Sequence, residues 1–399
     1  MTVGRHGNVA LVVFALLAAR APAQSQQVAL LDRDIKDVEK WVREDTNDAQ
    51  RTYYLALAHW KRHHWRQTDS LLRLAIRMEP RYPEAFLALG RLPYARRTQL
   101  ADEVNRDHVP EQWRAAVKEA QDYELRAFRT DPMVSLEIEG IEIEEPQAID
   151  YGLPEYQFYL RCCAWKMDLW RGRYRSAYDR LTTLAEREFD AKKDPDKVPD
   201  FIYWYRGLAA AHSFQFDAAI ADFHVLLDRT LKQQQRDEII NVPLADNEFR
   251  FMLAVLHRLA GHTDSAVALF QESLEHDLGL VMAHTYLAAI YEQAGRDSDA
   301  LVERQRAAEL NPDDPVAAFE LAVSLFNRGK VRESVTELYR SIGLNDRYAP
   351  PHYLLGRAAE AFGQPDLARD QYEQFLALAS MRLANLRTET QQRLDKLPK

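Results

Sequence analysis

Cysteine, glycine and proline are scarce in this sequence, and the shortage of cysteine excludes a fold held together by disulfides. The 399 residues include only 2 cysteines, 14 glycines and 17 prolines. The two cysteines, Cys162 and Cys163, are adjacent, and a bridge between neighbours would be strained. Stability must therefore come from packing of the 47% of residues that are hydrophobic. The abundance of Ala, Leu, Arg, Glu and Gln favours helices, so we predict an all-α fold.

A basic surface and the common catalytic motifs are also missing. The formal net charge is −9, which argues against a nucleic-acid partner, since such a partner requires a basic face. The sequence has no phosphate-binding glycine loop, nucleophile elbow or His-Glu-x-x-His helix. We therefore predict a chain that is not an enzyme, with no catalytic residues, no cofactor and no metal site.

One histidine pair is a candidate metal site. His59 and His63 have the spacing that places two side chains on one face of a helix. No carboxylate or cysteine lies at a matching spacing, and Trp60, Lys61 and Trp65 surround the pair. An amphipathic helix, exposed or packed, explains these residues better than a metal site does.

Only one long apolar run occurs, and it lies at the N-terminus. Arg5 precedes an unbroken apolar run from Val9 to Ala19, and Ala21-Pro22-Ala23 has the small-x-small pattern of a cleavage site. The run is about half the length needed to cross a bilayer. We predict a signal peptide at residues 1–23, the alternative being a buried N-terminal helix. The expected protein is exported, periplasmic or secreted, with no membrane span after cleavage.

Three columns of small residues recur with a period of 34 residues in the C-terminal half. The columns are Ala254, Ala288, Ala322 and Gly356; Gly261, Gly295, Gly329 and Gly363; and Ala266, Ala300, Ser334 and Ala368. A small residue in each of two helices lets their backbones approach closely, and a glycine between them ends the first helix in a left-handed turn. The period therefore predicts a series of helical hairpins.

This pattern resembles the tetratricopeptide repeat. Tyr291 matches the aromatic residue of the first helix, and Ala307 and Pro312 match positions near the end of the repeat. Arg304 departs from the pattern, because its column is otherwise apolar. The other residues of that column are Phe270, Leu338 and Tyr372. The resemblance implies an all-α, right-handed superhelical solenoid of antiparallel helix hairpins that binds other proteins.

Weaker copies of the repeat extend the array toward the N-terminus. Gly90 follows Ala56 by 34 residues, but its expected partner Ala120 lies 30 residues further on instead of 12, which indicates an insertion. The predicted segments are a signal peptide (1–23), an N-terminal helix (24–48), two repeats (49–132) with an insertion at 91–112, an irregular insert (133–157), two degenerate repeats (158–233), four regular repeats (247–382) and a C-terminal capping helix (383–399).

The irregular insert contains a stretch in which apolar and acidic residues alternate. Residues 136–143 read Leu-Glu-Ile-Glu-Gly-Ile-Glu-Ile, with Glu-Gly between two short runs. This alternation predicts a short β-hairpin near 134–143. An extended connector packed on the repeats is the alternative, because two isolated strands are barely stable.

The resemblance further implies that the first helices of successive repeats line a concave groove. The candidate partner-binding residues on that face are Trp204, Phe251, Val255, Arg258, Tyr286, Glu292, Phe319, Tyr353 and Arg357. In this hypothesis the aromatic residues anchor a peptide or helix and the charged residues set its register. The alternative is that the aromatic residues fill the space between neighbouring first helices.

The preferred hypothesis for function is a non-catalytic scaffold or adaptor outside the cytoplasm, whose groove binds a peptide or helix of a partner protein. One alternative is a glycan-binding repeat protein, in which Trp204, Tyr205 and Tyr286 stack on sugar rings. Another is an enzyme whose site is formed by the insertions at 91–112 and 133–155.

Overall fold

The computed structural model describes residues 34–100, 111–134, 164–236 and 246–398. Within these ranges the chain forms α-helices and two short 3-10 helices but no strand, so the prediction of an all-α fold is confirmed. The predicted signal peptide at 1–23 and the alternating segment at 136–143 lie outside the described residues. Among the described residues, no helix has both the length and the apolar character needed to cross a membrane.

The helices are numbered here in chain order. The first eleven are α1 (Ile35–Arg43), α2 (Ala49–Trp60), α3 (Trp65–Met78), α4 (Pro83–Leu100), α5 (Glu111–Thr130), α6 (Ala164–Trp170), α7 (Tyr174–Glu188), α8 (Asp200–His212), α9 (Phe216–Gln235), α10 (Asp246–Ala260) and α11 (Thr263–His276). The next seven are α12 (Val281–Gln293), α13 (Asp297–Leu310), α14 (Pro315–Asn327), α15 (Val331–Leu344), α16 (Pro350–Ala361), α17 (Pro365–Leu378) and α18 (Ala384–Lys396). The 3-10 helices are Pro195–Lys197 and Met381–Leu383.

Consecutive helices pair as hairpins. The pairs α2 with α3, α4 with α5, α10 with α11, α14 with α15 and α16 with α17 are in extensive contact. A helix that packs on its predecessor after a short turn must run antiparallel to it. Gly261 and Gly329 end the first helices α10 and α14 with φ of 84° and 75°, and a Cβ added at either would meet nothing within 4 Å. The left-handed backbone conformation alone therefore favours glycine there.

A different constraint applies at Gly356 in the first helix α16. A Cβ at this position would lie within 3.0 Å of three ring carbons of Tyr372, which is in the second helix α17. The small residue therefore makes room for an aromatic ring of its partner helix. Gly90 in α4 is similarly constrained, because a Cβ there would lie 2.5 Å from Cγ of Glu124 and 3.0 Å from the carbonyl oxygen of Ala120 in α5.

First and second helices differ in burial. In α14 every residue from Ala317 to Phe326 is buried, whereas the buried residues of α15 are Ser334, Leu338 and Ser341. A helix that is apolar on all sides lies in the interior, and a helix with one apolar stripe lies at the surface. The first helix thus forms the inside of this hairpin and the second helix its outside.

The first helix of the second repeat is longer than the sequence pattern predicts. The predicted insertion begins at residue 91, but α4 continues through Pro93 to Leu100. Residues 91–100 therefore extend a helix, and the next described residues begin α5 at Glu111.

The chain divides into two compact units. Among the described residues, unit 1 contains 34–130 and 284–398, and unit 2 contains 131–283. The boundary falls within α12. Unit 1 is thus built from two segments that are distant in sequence.

Side-chain amides join the two segments of unit 1 at the loops between repeats. Asn47 donates a hydrogen bond from Nδ2 to the carbonyl oxygen of Ala377 at 2.8 Å. Asn345 donates from Nδ2 to the carbonyl oxygen of Arg77, also at 2.8 Å. Both acceptors are carbonyls near the C-terminal end of a second helix, which lack a partner within the helix. The contacts therefore satisfy backbone groups as well as linking the segments.

Candidate functional site

The nine side chains predicted to bind a partner divide by exposure. The buried ones are Phe251, Val255, Tyr286, Phe319 and Tyr353. The half-buried ones are Trp204, Arg258, Glu292 and Arg357. Trp204, Phe251, Val255 and Arg258 lie in unit 2, and the other five lie in unit 1. Solvent therefore reaches the charged members and one tryptophan, while the other aromatic rings lie beneath the surface.

The buried aromatic rings pack against other rings of their own unit. In unit 1, Phe319 of α14 makes an edge contact with Tyr348, which precedes α16, at 5.7 Å between ring centroids. In unit 2, Phe251 of α10 lies 6.0 Å from Phe270 of α11. Phe270 belongs to the second helix of the same hairpin, and Tyr348 lies in the segment between α15 and α16, so neither contact joins two first helices. Each such pair contributes about 0.5–1.5 kcal/mol beyond the area it buries.

Tyr353 and Arg357 are brought together on α16. The Tyr353 hydroxyl donates to Oε1 of Glu389 in α18 at 2.8 Å and accepts from Nη1 of Arg357 at 3.2 Å. Burial raises the pKa of Tyr353 above its usual value. Through Glu389, Tyr353 thus links the last repeat to α18, and Arg357 donates to the same hydroxyl.

Aromatic rings that the glycan hypothesis requires also pack against other rings. In unit 2, Trp204 makes edge contacts with Phe223 at 5.7 Å and Phe249 at 6.2 Å between centroids. Tyr205 lies 4.8 Å from Trp165. Stacking on a sugar needs an open ring face, and no observation in the described residues favours such a face here.

Arg304, which departs from the repeat pattern, is buried with charged partners. Its Nε and Nη2 donate to the two carboxylate oxygens of Glu292 at 3.2 and 3.1 Å. Its Nη1 forms an ion pair with Oε2 of Glu320 at 2.9 Å, although this contact lacks the alignment of a hydrogen bond. A buried guanidinium needs such partners, because an unpaired charge in the interior is strongly destabilising. The predicted binding residue Glu292 is therefore already occupied in part by Arg304.

Arg81 completes this cluster from the other segment of unit 1. The residue lies between α3 and α4 and donates from Nε and Nη2 to Oδ2 of Asp314 at 3.0 and 2.8 Å. Its Nη1 donates to Oε2 of Glu320 at 3.1 Å. Burial by itself lowers the pKa of Arg81, but Asp314 and Glu320 hold it above the usual value, so the guanidinium stays charged. Glu320 thus bridges two arginines, Arg81 and Arg304.

Sequence reasoning missed this cluster. Arg81 and Asp314 lie 233 residues apart, and neither belongs to a recognisable motif. Asp314 does carry a local signal, because its carboxylate caps α14 by accepting a hydrogen bond from the amide of Val316 at 2.8 Å. That signal indicates a helix start and does not reveal the distant arginine.

A second charged cluster lies in unit 2 at the start of α7. Asp168 accepts hydrogen bonds from Nε of Arg173 and Nε of Arg180, each at 2.7 Å, and from the hydroxyl of Ser176 at 2.6 Å. Burial raises the pKa of Asp168, but these hydrogen bonds outweigh it and lower the pKa below its usual value. The carboxylate offsets part of the positive charge of Arg173 and Arg180.

Comparison with known proteins gives matches among solved structures only. No family model matches the chain, and none of the curated proteins does. The chain is similar to MamA, with 22% identity over 36% of this chain and 91% of that chain and a TM-score of 0.31. A second MamA structure, MamA AMB-1, has 21% identity over 48% of this chain and 98% of that chain, with a TM-score of 0.36.

A third similar structure is the C-terminal part of a TPR repeat-containing protein from Cytophaga hutchinsonii. It has 12% identity over 56% of this chain and 79% of that chain, with a TM-score of 0.41. The paired helices described above and the 34-residue period of small residues define this chain as a TPR-like helical-repeat protein.

Proposed function

We propose that this protein is a non-catalytic interaction scaffold that binds a segment of a partner protein on the first-helix face of its repeats. The observation that carries the proposal is the regular series of helix hairpins, in which the first helices lie inside and the second helices outside. Stacked hairpins present an extended surface with many side chains at fixed spacing, which suits a peptide or helix.

The accessible residues of that face are three charged side chains and one tryptophan. In unit 2 the half-buried members are Trp204 and Arg258, and in unit 1 they are Glu292 and Arg357. Tryptophan and arginine are the residue types that most often dominate binding energy at protein interfaces. Within each unit, a partner segment therefore contacts these side chains first. In unit 1 the buried rings of Phe319 and Tyr353 keep the helices in place beneath it.

The proposed location is outside the cytoplasm. The N-terminal apolar run with its small-x-small cleavage pattern at Ala21-Pro22-Ala23 supports export, and the periplasm or the exterior is the corresponding compartment. In this proposal the partner is itself an exported or surface protein.

Charge reversal at one accessible position tests the proposed surface. Arg258→Glu replaces a half-buried cation on the first helix α10, and Glu275→Arg reverses an exposed charge on the second helix α11 of the same repeat. We expect the partner recovered with the natural chain to be lost with Arg258→Glu and kept with Glu275→Arg, with equal thermal unfolding temperatures for both variants. Equal recovery of the partner with both folded variants would place the binding surface elsewhere.

A further inference from the structure

Two histidine pairs with the same geometry occur in separate parts of the molecule. In unit 1, Nδ1 of His59 lies 3.2 Å from Nδ1 of His64, with ring centroids 5.4 Å apart and ring planes at 47°. In unit 2, Nδ1 of His257 lies 3.2 Å from Nδ1 of His262, with centroids 5.4 Å apart and planes at 50°. In each pair the first histidine is near the end of a first helix and the second precedes the second helix.

The pair in unit 1 is not the one that helical spacing suggests. Helix α2 ends at Trp60, and His63 lies in the turn that follows, with a φ of 56°. The His63 ring packs on Trp65 at 5.1 Å between centroids. The turn brings His64, rather than His63, to His59. A His-x4-His sequence across the hairpin turn thus replaces the His-x3-His pattern of a continuous helix.

The separation of the two nitrogens fits a shared metal ion. Histidine nitrogens bind zinc at about 2.0–2.1 Å in a tetrahedral arrangement, which places two ligand nitrogens roughly 3.3–3.4 Å apart. The observed Nδ1 separation is 3.2 Å in both pairs. Two neutral rings can also share one proton at this distance, with one Nδ1 donating to the other. A metal ion replaces that proton when both rings carry their hydrogen on Nε2.

A carboxylate favours this tautomer in unit 2. Nε2 of His262 lies 3.8 Å from Oδ1 of Asp217. A histidine that binds a metal through one nitrogen commonly directs its other N–H toward a carboxylate, which fixes the tautomer and strengthens the ligand. The ring of His224 also lies close to His257, at 6.0 Å between centroids. With the hydrogen of His262 on Nε2, its Nδ1 is the atom that accepts from His257 or binds a metal ion.

We propose that each His-x4-His turn binds one divalent transition-metal ion, such as Zn²⁺, Ni²⁺ or Cu²⁺, through its two Nδ1 atoms. Imidazole nitrogen suits these metals and discriminates against Mg²⁺ and Ca²⁺, which prefer oxygen ligands. In the described part of the chain no group of three or more His, Cys, Asp or Glu is placed to hold a metal ion, so water supplies the remaining ligands. This proposal departs from the sequence-based prediction of no metal site and does not depend on the proposed scaffold function.

Calorimetric titration of the full chain, purified without a histidine tag, with ZnCl₂ tests the proposal. His64→Ala and His262→Ala each remove one exposed member of a pair, and His276→Ala removes an exposed histidine that has no histidine neighbour among the described residues. We expect two zinc ions per natural chain, one for each single pair variant, and at least tenfold weaker binding in the double variant. The His276→Ala chain should behave like the natural chain.

The electron paramagnetic resonance spectrum of added Cu²⁺ gives an independent readout. Nitrogen hyperfine splitting that disappears in the folded His64→Ala/His262→Ala double variant would support coordination by the two pairs. Zinc binding that is absent from the natural chain, or that persists unchanged in the double variant, would overturn the proposal. MgCl₂ should give no heat of binding with any of these chains.

Discussion

Nη1 of Arg81 lies 3.1 Å from Oε2 of Glu320, although 239 residues separate the two positions. The same guanidinium holds Asp314, and Glu320 also pairs with Arg304. Buried charged side chains, and not apolar contacts alone, therefore join the two distant segments of unit 1. Buried charges of this kind are stabilising only when all partners are present.

Removing Arg81 should therefore destabilise unit 1 strongly. Arg81→Ala removes the cation that Asp314 and Glu320 share, so that Asp314 keeps its hydrogen bond from the Val316 amide and Glu320 keeps its ion pair with Arg304. Breaking a buried ion pair costs roughly 3–5 kcal/mol. Urea unfolding followed by circular dichroism measures the change in the free energy of unfolding.

The matched control lies at the same junction of segments. Arg77 pairs with Asp346 at 2.9 Å, but their side chains are 56% and 77% exposed. Exposed ion pairs contribute at most about 1 kcal/mol, so Arg77→Ala should have a small effect. Similar losses in the two variants would contradict the role assigned to the buried cluster.

Substitution by alanine should change the stability in opposite directions at two glycines of the C-terminal repeats. Gly356→Ala places a Cβ within 3.0 Å of the Tyr372 ring, and this overpacking should cost about 1–3 kcal/mol. Gly343 in α15 has nothing within 4 Å of an added Cβ, so Gly343→Ala should stabilise by up to about 1 kcal/mol. Thermal unfolding of the two variants checks the signs. A stabilising Gly356→Ala would mean that Tyr372 moves aside at no cost.

Phe214 is strained by its backbone conformation. The residue has a φ of 60°, is 58% exposed, and lies at a hairpin turn where other repeats have glycine. Because a side chain in the left-handed region costs roughly 1–2 kcal/mol, Phe214→Gly should raise the stability of unit 2 by up to about 1 kcal/mol. Differential scanning calorimetry measures the shift.

Gly261→Ala is the reciprocal experiment within unit 2. The added methyl group has open space around it, so any loss of stability arises from the φ of 84° alone. We expect a loss of about 1 kcal/mol. If Phe214→Gly lowers stability instead, the packing of Phe214 on Phe216, at 6.0 Å between centroids, outweighs the strain.

Acid should weaken unit 2 through His212. Its Nε2 donates to the carbonyl oxygen of Met133 at 2.6 Å, its ring stacks on Tyr174, and burial lowers the pKa of His212 below its usual value. The neighbouring Asp131 opposes this shift only in part. Since the unfolded chain binds the proton more readily, stability should fall as the pH drops below about 6.5.

His212→Gln retains an N–H donor without a titrating ring. The decline in the unfolding free energy between pH 7 and pH 5 should be smaller in this variant than in the natural chain. His276→Gln, at an exposed position, should leave the decline unchanged. An unaltered pH profile in His212→Gln would show that another group takes up the proton.

The repeat could be predicted from the sequence because its determinants are local. Gly261 and Gly329 stand at turns that need a left-handed backbone, and a fixed distance along the chain relates them to the helices they separate. The same local reasoning failed for His59, because helical spacing pairs it with His63 while the chain leaves the helix before His64.

The buried charge cluster could not be predicted because its members are distant. Arg304 departs from an apolar column, but its partner Glu320 lies in the next repeat and Arg81 lies in another segment. The burial of Phe319 and Tyr353 also depends on helices that only the folded chain brings together. The sequence pattern locates the aromatic column but leaves open whether each ring is exposed or packed between helices.

The proposed binding face is tested most directly by a photo-crosslinking amino acid introduced in place of Arg258 and, in a second chain, in place of Glu275. Both chains are expressed in the source cells and irradiated, and the products are identified by mass spectrometry. The account predicts crosslinks from position 258 to one discrete exported or surface protein and none to that protein from position 275. Equal crosslinking from both positions, or none from position 258 in a folded and exported chain, would contradict it.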